Sequence, residues 1–106
     1  MLHEVNISAG RKGGEYLQKG DYKKAILFFE ISAKTSKVNP FSFYNLYNMA
    51  CTYSLDKHKK KAIKSLKMAV EAGFTNRAHM EKDSDLDNIR NEKAFKEIME
   101  NLDSKN

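Results

Sequence analysis

Three groups of side chains in this sequence are of types that could do chemistry. The first is the run KDSDLDNIRNEKAF, Lys82 to Phe95, in which Asp83, Asp85 and Asp87 alternate as the opening ligands of a calcium-binding loop do. Counted from Asp83, however, the sixth residue is Asn88, where such a loop needs glycine for its sharp turn. The twelfth is Ala94, where a bidentate glutamate should close the shell. The run therefore predicts no metal site. The second group centres on Cys51, which becomes a nucleophile only if a base activates it. His58 and His79 stand at no catalytic or metal-ligand spacing from it, and with His3 the histidines are scattered, so neither a catalytic residue nor a zinc site is expected. Cys51 reads as a small residue on a helix. The third group is Lys57-His58-Lys59-Lys60-Lys61, continued by Lys64 and Lys67. On a helix, Lys60, Lys64 and Lys67 share one outward face that could meet a phosphate backbone, although no aromatic side chains are interleaved with them to stack on bases.

Composition narrows what these groups can belong to. The chain of 106 residues fits a single domain with one modest core, and its 41% hydrophobic and 31% charged residues exclude a disordered tail. No apolar run approaches the roughly 20 residues that span a bilayer, so no membrane association is expected. The start, MLHEVNISAGRKGGEY, lacks the apolar segment of a secretory leader, and one cysteine cannot form an internal disulfide; both point to a reducing, cytoplasmic setting. The net charge of +5 is uneven, with 13 Lys/Arg against 6 Asp/Glu over residues 1–75 and 6 against 8 over 76–106. A basic body with an acidic end could steer an acidic partner. GRKGGEY follows no strand and is not a phosphate loop, so no cofactor is expected.

The elements that must position these residues are helical. Tyr22, Ala25, Ile26, Phe29 and Ala33 recur at helical spacing behind the turn and cap Gly20-Asp21. Asn39-Pro40 is a start signal for a second pattern, Phe43, Leu46, Met49, Ala50 and Tyr53. Ala62, Ile63, Leu66, Ala69 and Val70 form a third, ended by Gly73. Upstream, Val5 to Leu17 reads as a helix whose first half should fray, since Gly10, Gly13 and Gly14 each cost roughly 1 kcal/mol relative to alanine. Downstream, a short helix around Arg77 to Lys82 precedes the acidic run, and Phe95, Ile98, Met99 and Leu102 define a last amphipathic helix. The total is about six helices and no strand.

The pattern repeats. Tyr16, Ala25 and Phe29 have the same spacing as Tyr53, Ala62 and Leu66, at an offset of 37 residues that the connection Ser36 to Pro40 lengthens beyond the usual 34. Gly13-x-x-Tyr16 with Gly20-Asp21-Tyr22-x-x-Ala25-Ile26, and then YNMACTYSLDKHKKKAIKSLKMAVEAGF from Tyr47 to Phe74, resemble the tetratricopeptide repeat family, in a bacterial form whose closing segment looks like Asp83 to Phe95. The resemblance implies an all-α fold, a right-handed superhelical stack of two helix hairpins (about 5–37 and 39–73) with a C-terminal capping helix pair (about 75–102). Two positions depart from the family pattern: Ser32 replaces an alanine, and Lys57 replaces a turn glycine.

By resemblance, the first helix of each hairpin lines a concave groove for peptides. The groove positions are Arg11, Gly14, Leu17 and Gln18 in the first hairpin, and Tyr44, Tyr47, Asn48, Cys51 and Leu55 in the second. Tyr44 to Leu55 also form a stripe at i, i+3, i+4, i+7 and i+11, apart from the packing face through Leu46, Ala50 and Tyr53. The expectation is thus an open face free to hold a partner, unless the chain's own C-terminal segment or a second copy covers it. The carboxylate clamp of some family members is not expected, because Gly10 and Gly14 occupy its lysine and asparagine places. The implied protein is not an enzyme. It is a noncatalytic module that binds a peptide or protein segment, with homo-oligomerisation open and nucleic acid or another polyanion on Lys60, Lys64 and Lys67 as the alternative.

Overall fold

The structure, a computed structural model, describes residues 2–34 and 42–105, with side chains from 9–33 and 43–102. The described residues form six α-helices and no strand: α1 Leu2–Lys19, α2 Tyr22–Lys34, α3 Ser42–Leu55, α4 Lys59–Ala72, α5 Arg77–Lys82 and α6 Lys93–Lys105, with a 3-10 turn over Ser84–Leu86. The connection Ser36 to Pro40 and the start signal Asn39-Pro40 lie outside the described residues. Helix α3 is the hub, in contact with α1, α2, α4 and the 3-10 turn. Its sequence explains this position, because from Leu46 to Ser54 every residue but Asn48 is buried. A helix buried nearly all round must have neighbours on several sides. Helix α4 instead buries one face, Ala62, Ser65, Leu66 and Ala69, and exposes Lys60, Lys61, Lys64 and Lys67.

Three helix ends are built alike. At the end of α1, Gly20 N–H donates to Leu17 O at 3.1 Å and Asp21 N–H to Tyr16 O at 2.9 Å. Thirty-seven residues on, Lys57 N–H donates to Ser54 O and His58 N–H to Tyr53 O, and α4 ends the same way through Gly73 and Phe74. This paired bonding needs a left-handed residue at its centre. Gly20 (φ 79°) and Gly73 (φ 125°) supply it, and so does Lys57 at φ 64°. Lys57 therefore takes up the conformation its glycine-requiring place demands, at a backbone cost of about 1–2 kcal/mol. The start of α2 is capped by Asp21, whose Oδ1 accepts from Lys24 N–H at 3.3 Å. His58, in the matching place before α4, makes no such bond.

The glycines of α1, expected to loosen its first half, do not interrupt the helix. Two of them mark close approaches instead. A Cβ on Gly13 would stand 2.7 Å from the Phe29 ring, and one on Gly10 would stand 2.7 Å from Asn45 Oδ1. Asn45 in turn donates through Nδ2 to Ser32 Oγ at 2.7 Å, so the departure at Ser32 provides a buried polar link between α2 and α3 beside α1. Tyr53 OH adds a second link, donating to Glu30 Oε1 at 3.0 Å. Burial first, then the Glu30 carboxylate, push the Tyr53 phenol up to about 12.

The C-terminal segment adds a further part of the core. Leu86, Ile89, Phe95, Ile98, Met99 and Leu102 are all buried, and α6 packs against α4. Arg90 holds this segment's bends together. Its guanidinium donates to the carbonyls of Glu81 (2.8 Å) and Asp83 (2.6 Å) and to Asp87 Oδ1 (2.9 Å), collecting the otherwise unpaired end of α5. Asn88 Nδ2 donates to Ser54 O at 2.8 Å, capping the end of α3.

The glycines give a direct check. Gly14 has nothing within 4 Å of a built Cβ, so Gly14→Ala should stabilise the fold by about 1 kcal/mol through helix propensity. Gly13→Ala should destabilise it by about 1–3 kcal/mol through overpacking against Phe29. Urea denaturation of the two variants beside the wild type measures both.

Candidate functional site

The site is built where the segment after α4 folds back over α3. The bend at Gly73 turns Phe74 inward, where it stacks flat on Tyr47 with ring centroids 4.1 Å apart and planes 5° from parallel. Asn76 then starts α5, its side chain accepting from His79 N–H at 3.1 Å. Helix α5 ends at Asp83, whose carboxylate is the meeting point of the region. Asp83 Oδ2 accepts from Tyr47 OH at 2.6 Å and from the Cys51 thiol at 3.8 Å, and lies 3.4 Å from His79 Nε2. Its Oδ1 accepts from Asp85 N–H at 3.0 Å and so caps the 3-10 turn.

Between α3 and this segment lies an open cleft of about 500 Å³. Phe43, Tyr44, Tyr47 and Phe74 give it aromatic walls, while Asn48, Asn76, His79, Asp83 and Asp85 give it polar ones. Tyr44 is 52% exposed and meets Phe74 edge-on, at a centroid distance of 6.1 Å. Asn48 is half-buried on the wall. Its backbone carbonyl is taken by Thr52 Oγ1 at 2.7 Å.

The expected open stripe needs correction in its deeper half. Tyr47 (4% exposed) and Cys51 (2%) are core residues, because the chain's own Phe74 and Asp83 cover them. Periodicity placed them on a face of α3 but did not disclose that residues 73–85 return to that face. The cleft brings together Tyr44, Tyr47, Asn48 and Cys51; Leu55 is half-buried outside its lining. The first-hairpin positions are not brought to it either. Arg11 and Gln18 are exposed, Leu17 packs against the core, and Gly14 faces open space. Lys60, Lys64 and Lys67 are exposed, and Lys57 to Lys61 line a separate shallow cleft of about 390 Å³. The polar wall of the aromatic cleft, from Asn76 to Asp85, was absent from the sequence-derived groove. Its available signal was the acidic run itself.

The buried titratable groups that α3 brings here, Tyr47 and Cys51, are held in their protonated forms. Burial, followed by the charges of Asp83 and Asp85, pushes the Cys51 thiol far above its ordinary range, so it stays protonated and a poor nucleophile. Burial, Cys51 and Asp83 likewise hold the Tyr47 phenol far up. Cys51, Asp83 and Asp85 offer three ligand atoms within 4.8 Å of one another, a juxtaposition the loop pattern alone did not contain. One sulfur and two carboxylates make neither the four-ligand shell of structural zinc nor the six to eight oxygens of calcium. Asp83, moreover, is already engaged by Tyr47, Cys51 and Asp85 N–H. Asp85 differs. Burial first, then Asp83 and Asp87, raise its pKa, and no described basic side chain pairs with it.

Comparison with known proteins adds no relative: no family model matches the chain, and no curated protein or solved structure matches it.

Two substitutions check the electrostatics. Tyr47→Phe keeps the ring stack but removes the bond to Asp83, and should cost about 1.5–3 kcal/mol, the range for a hydrogen bond to a charged group. Asp85→Asn should do the opposite. A carboxyl whose folded pKa is raised favours folding while protonated, and that advantage is lost as pH rises through the folded value. The variant should therefore melt above the wild type at pH 7, and the gap should close below the unfolded aspartate value of about 3.9. Thermal melts from pH 3 to 8 measure this.

Proposed function

We propose that this chain is a noncatalytic interaction module of the tetratricopeptide-repeat kind: two helix hairpins in a right-handed superhelical stack, closed by a C-terminal capping segment, holding a peptide or protein segment against α3. The repeat reading is supported by the matching turns at Gly20 and Lys57, with their equivalent bonds 37 residues apart. It is also supported by the small residues Gly13, Ala25, Ala50 and Ala62, which are buried where helices meet. The binding reading rests on one observation, the cleft of about 500 Å³ with an exposed Tyr44 and a half-buried Asn48 on a wall whose deeper residues, Tyr47 and Cys51, belong to the core. A tyrosine offers a large, stiff contact area with a polar tip, and an asparagine can both donate to and accept from a peptide backbone. A noncatalytic role agrees with Cys51 held as a protonated thiol beside Asp83. No helix among the described residues is long and apolar enough to cross a membrane.

A second reading has its own observation. Lys60, Lys64 and Lys67 are exposed on the outer face of α4, and Lys57 to Lys61 wall a shallow cleft. Polyanion binding there should fall steeply with salt, through counterion release, and should disappear when the three ridge lysines become glutamine. Fluorescence anisotropy with labelled RNA and DNA oligonucleotides at about 50 mM salt decides it; no association there removes the reading.

For the first reading, Tyr44→Ala combined with Asn48→Ala should cost at least about 2 kcal/mol of partner affinity, as truncation of central contacts does. Since Tyr44 is mostly exposed, the melting temperature should stay close to wild type. Tyr47→Ala should instead unfold or strongly destabilise the chain. Peptide ligands selected on the immobilised protein, then titrated against the variants by calorimetry, supply the readout. Undiminished affinity in the Tyr44/Asn48 variant would remove the cleft from the reading.

A further inference from the structure

The cleft carries a sign of charge opposite to that of the molecule. The chain has a net charge of +5, yet among the described residues the formally charged ones lining this cleft are Asp83 and Asp85, with His79 beside them and no lysine or arginine. The two carboxylates are not equivalent. Asp83 is consumed internally by Tyr47, Cys51, His79 and the Asp85 N–H. Asp85 is half-buried, stands in sequence between two further aspartates, and lines the cleft with its carboxylate within 4.8 Å of the Cys51 sulfur and the Asp83 carboxylate, without an ion pair among the described residues. An anionic ligand would be repelled by this wall. A neutral one could donate hydrogen bonds to the Asp85 carboxylate but would leave its charge uncompensated beside two further aspartates. A cation both fills the cleft and neutralises that carboxylate. The other walls suit the same ligand, since the rings of Tyr44 and Phe74 accept an aliphatic stem and attract a cation at its end.

We infer that the segment held in this cleft presents a lysine or arginine side chain, its charge meeting Asp85 and its stem lying along Tyr44 and Phe74. The inference rests on the cleft being the partner site, and it supplies the chemistry of the partner: a basic segment. The basic body of the protein would repel such a partner elsewhere, so the acidic cleft also directs where it lands. The desolvated state of Asp85 agrees with this assignment, because an unneutralised carboxylate here costs stability until a cation arrives.

The test selects binders from a display library of random dodecapeptides on the immobilised wild-type protein. Selected peptides are sorted by whether Tyr44→Ala with Asn48→Ala abolishes their binding. Among peptides so abolished, one position should be lysine or arginine. Its replacement by norleucine should weaken binding by roughly 10- to 100-fold, the equivalent of one charge-assisted hydrogen bond. Asp85→Asn, which should fold at least as well as wild type, should weaken the parent peptide similarly and the norleucine peptide little, so that the two losses do not add. Cleft binders without a basic position, or with one whose loss adds fully to Asp85→Asn, would overturn the cationic assignment and leave the cleft reading intact. Binders indifferent to Tyr44 and Asn48 would overturn the cleft reading and the assignment with it.

Discussion

A single carboxylate, Asp83, joins the two halves of this molecule. Helix α3 is buried on nearly every side, and the side that α1, α2 and α4 leave free must be covered by the segment that follows α4. Apolar contact supplies the driving force through the Tyr47–Phe74 stack, but such contact is weakly directional. Direction comes from Asp83, which binds Tyr47 and Cys51 one helical turn apart on α3 while its other oxygen starts the 3-10 turn toward Leu86. Burying a charge is tolerable only when its hydrogen bonds are met, and here they are met from both partners at once. Displacing the segment would strand a phenol and a thiol on α3.

The same logic recurs at lower cost elsewhere. Arg90 gathers the carbonyls that α5 leaves unpaired, Asn88 caps α3, and Asn45 bridges to Ser32 where Gly10 leaves room. Each is a polar side chain closing the backbone or side-chain bonds of a different element. The apolar residues Leu86, Ile89 and Phe95 supply burial, and these polar links decide how the pieces are oriented.

Much of the helical order was legible in the sequence, because Ala25 and Phe29, Ala62 and Leu66, and Phe95, Ile98 and Leu102 each mark one buried stripe. The Gly13 packing contact was less so: propensity counts the entropy of a glycine, and only the neighbouring Phe29 ring shows why a larger residue would not fit. The site was legible by half. Tyr44 and Asn48 could be read as a face, but Tyr47 and Asp83 lie 36 residues apart and no periodicity joins them. Asn88 shows the limit well. It disqualifies the acidic run as a calcium loop, and its actual task, a bond to Ser54 O, depends on where the chain travels afterwards.

Because the cleft has one wall on α3 and the other on the segment after α4, any occupancy of it would be linked to the attachment of that segment. A molecule that filled the space between Tyr44 and Asp85 would need both walls in place, so its binding free energy would add to the attachment of the segment. Linkage is reciprocal: whatever loosens the segment, including a change in α6 far from the cleft, would lower that affinity without touching a single contact residue. The packing of Phe95 and Leu102 would then be a distant control on anything held at Tyr44, so that the helix completing the core would also set the gain of the surface.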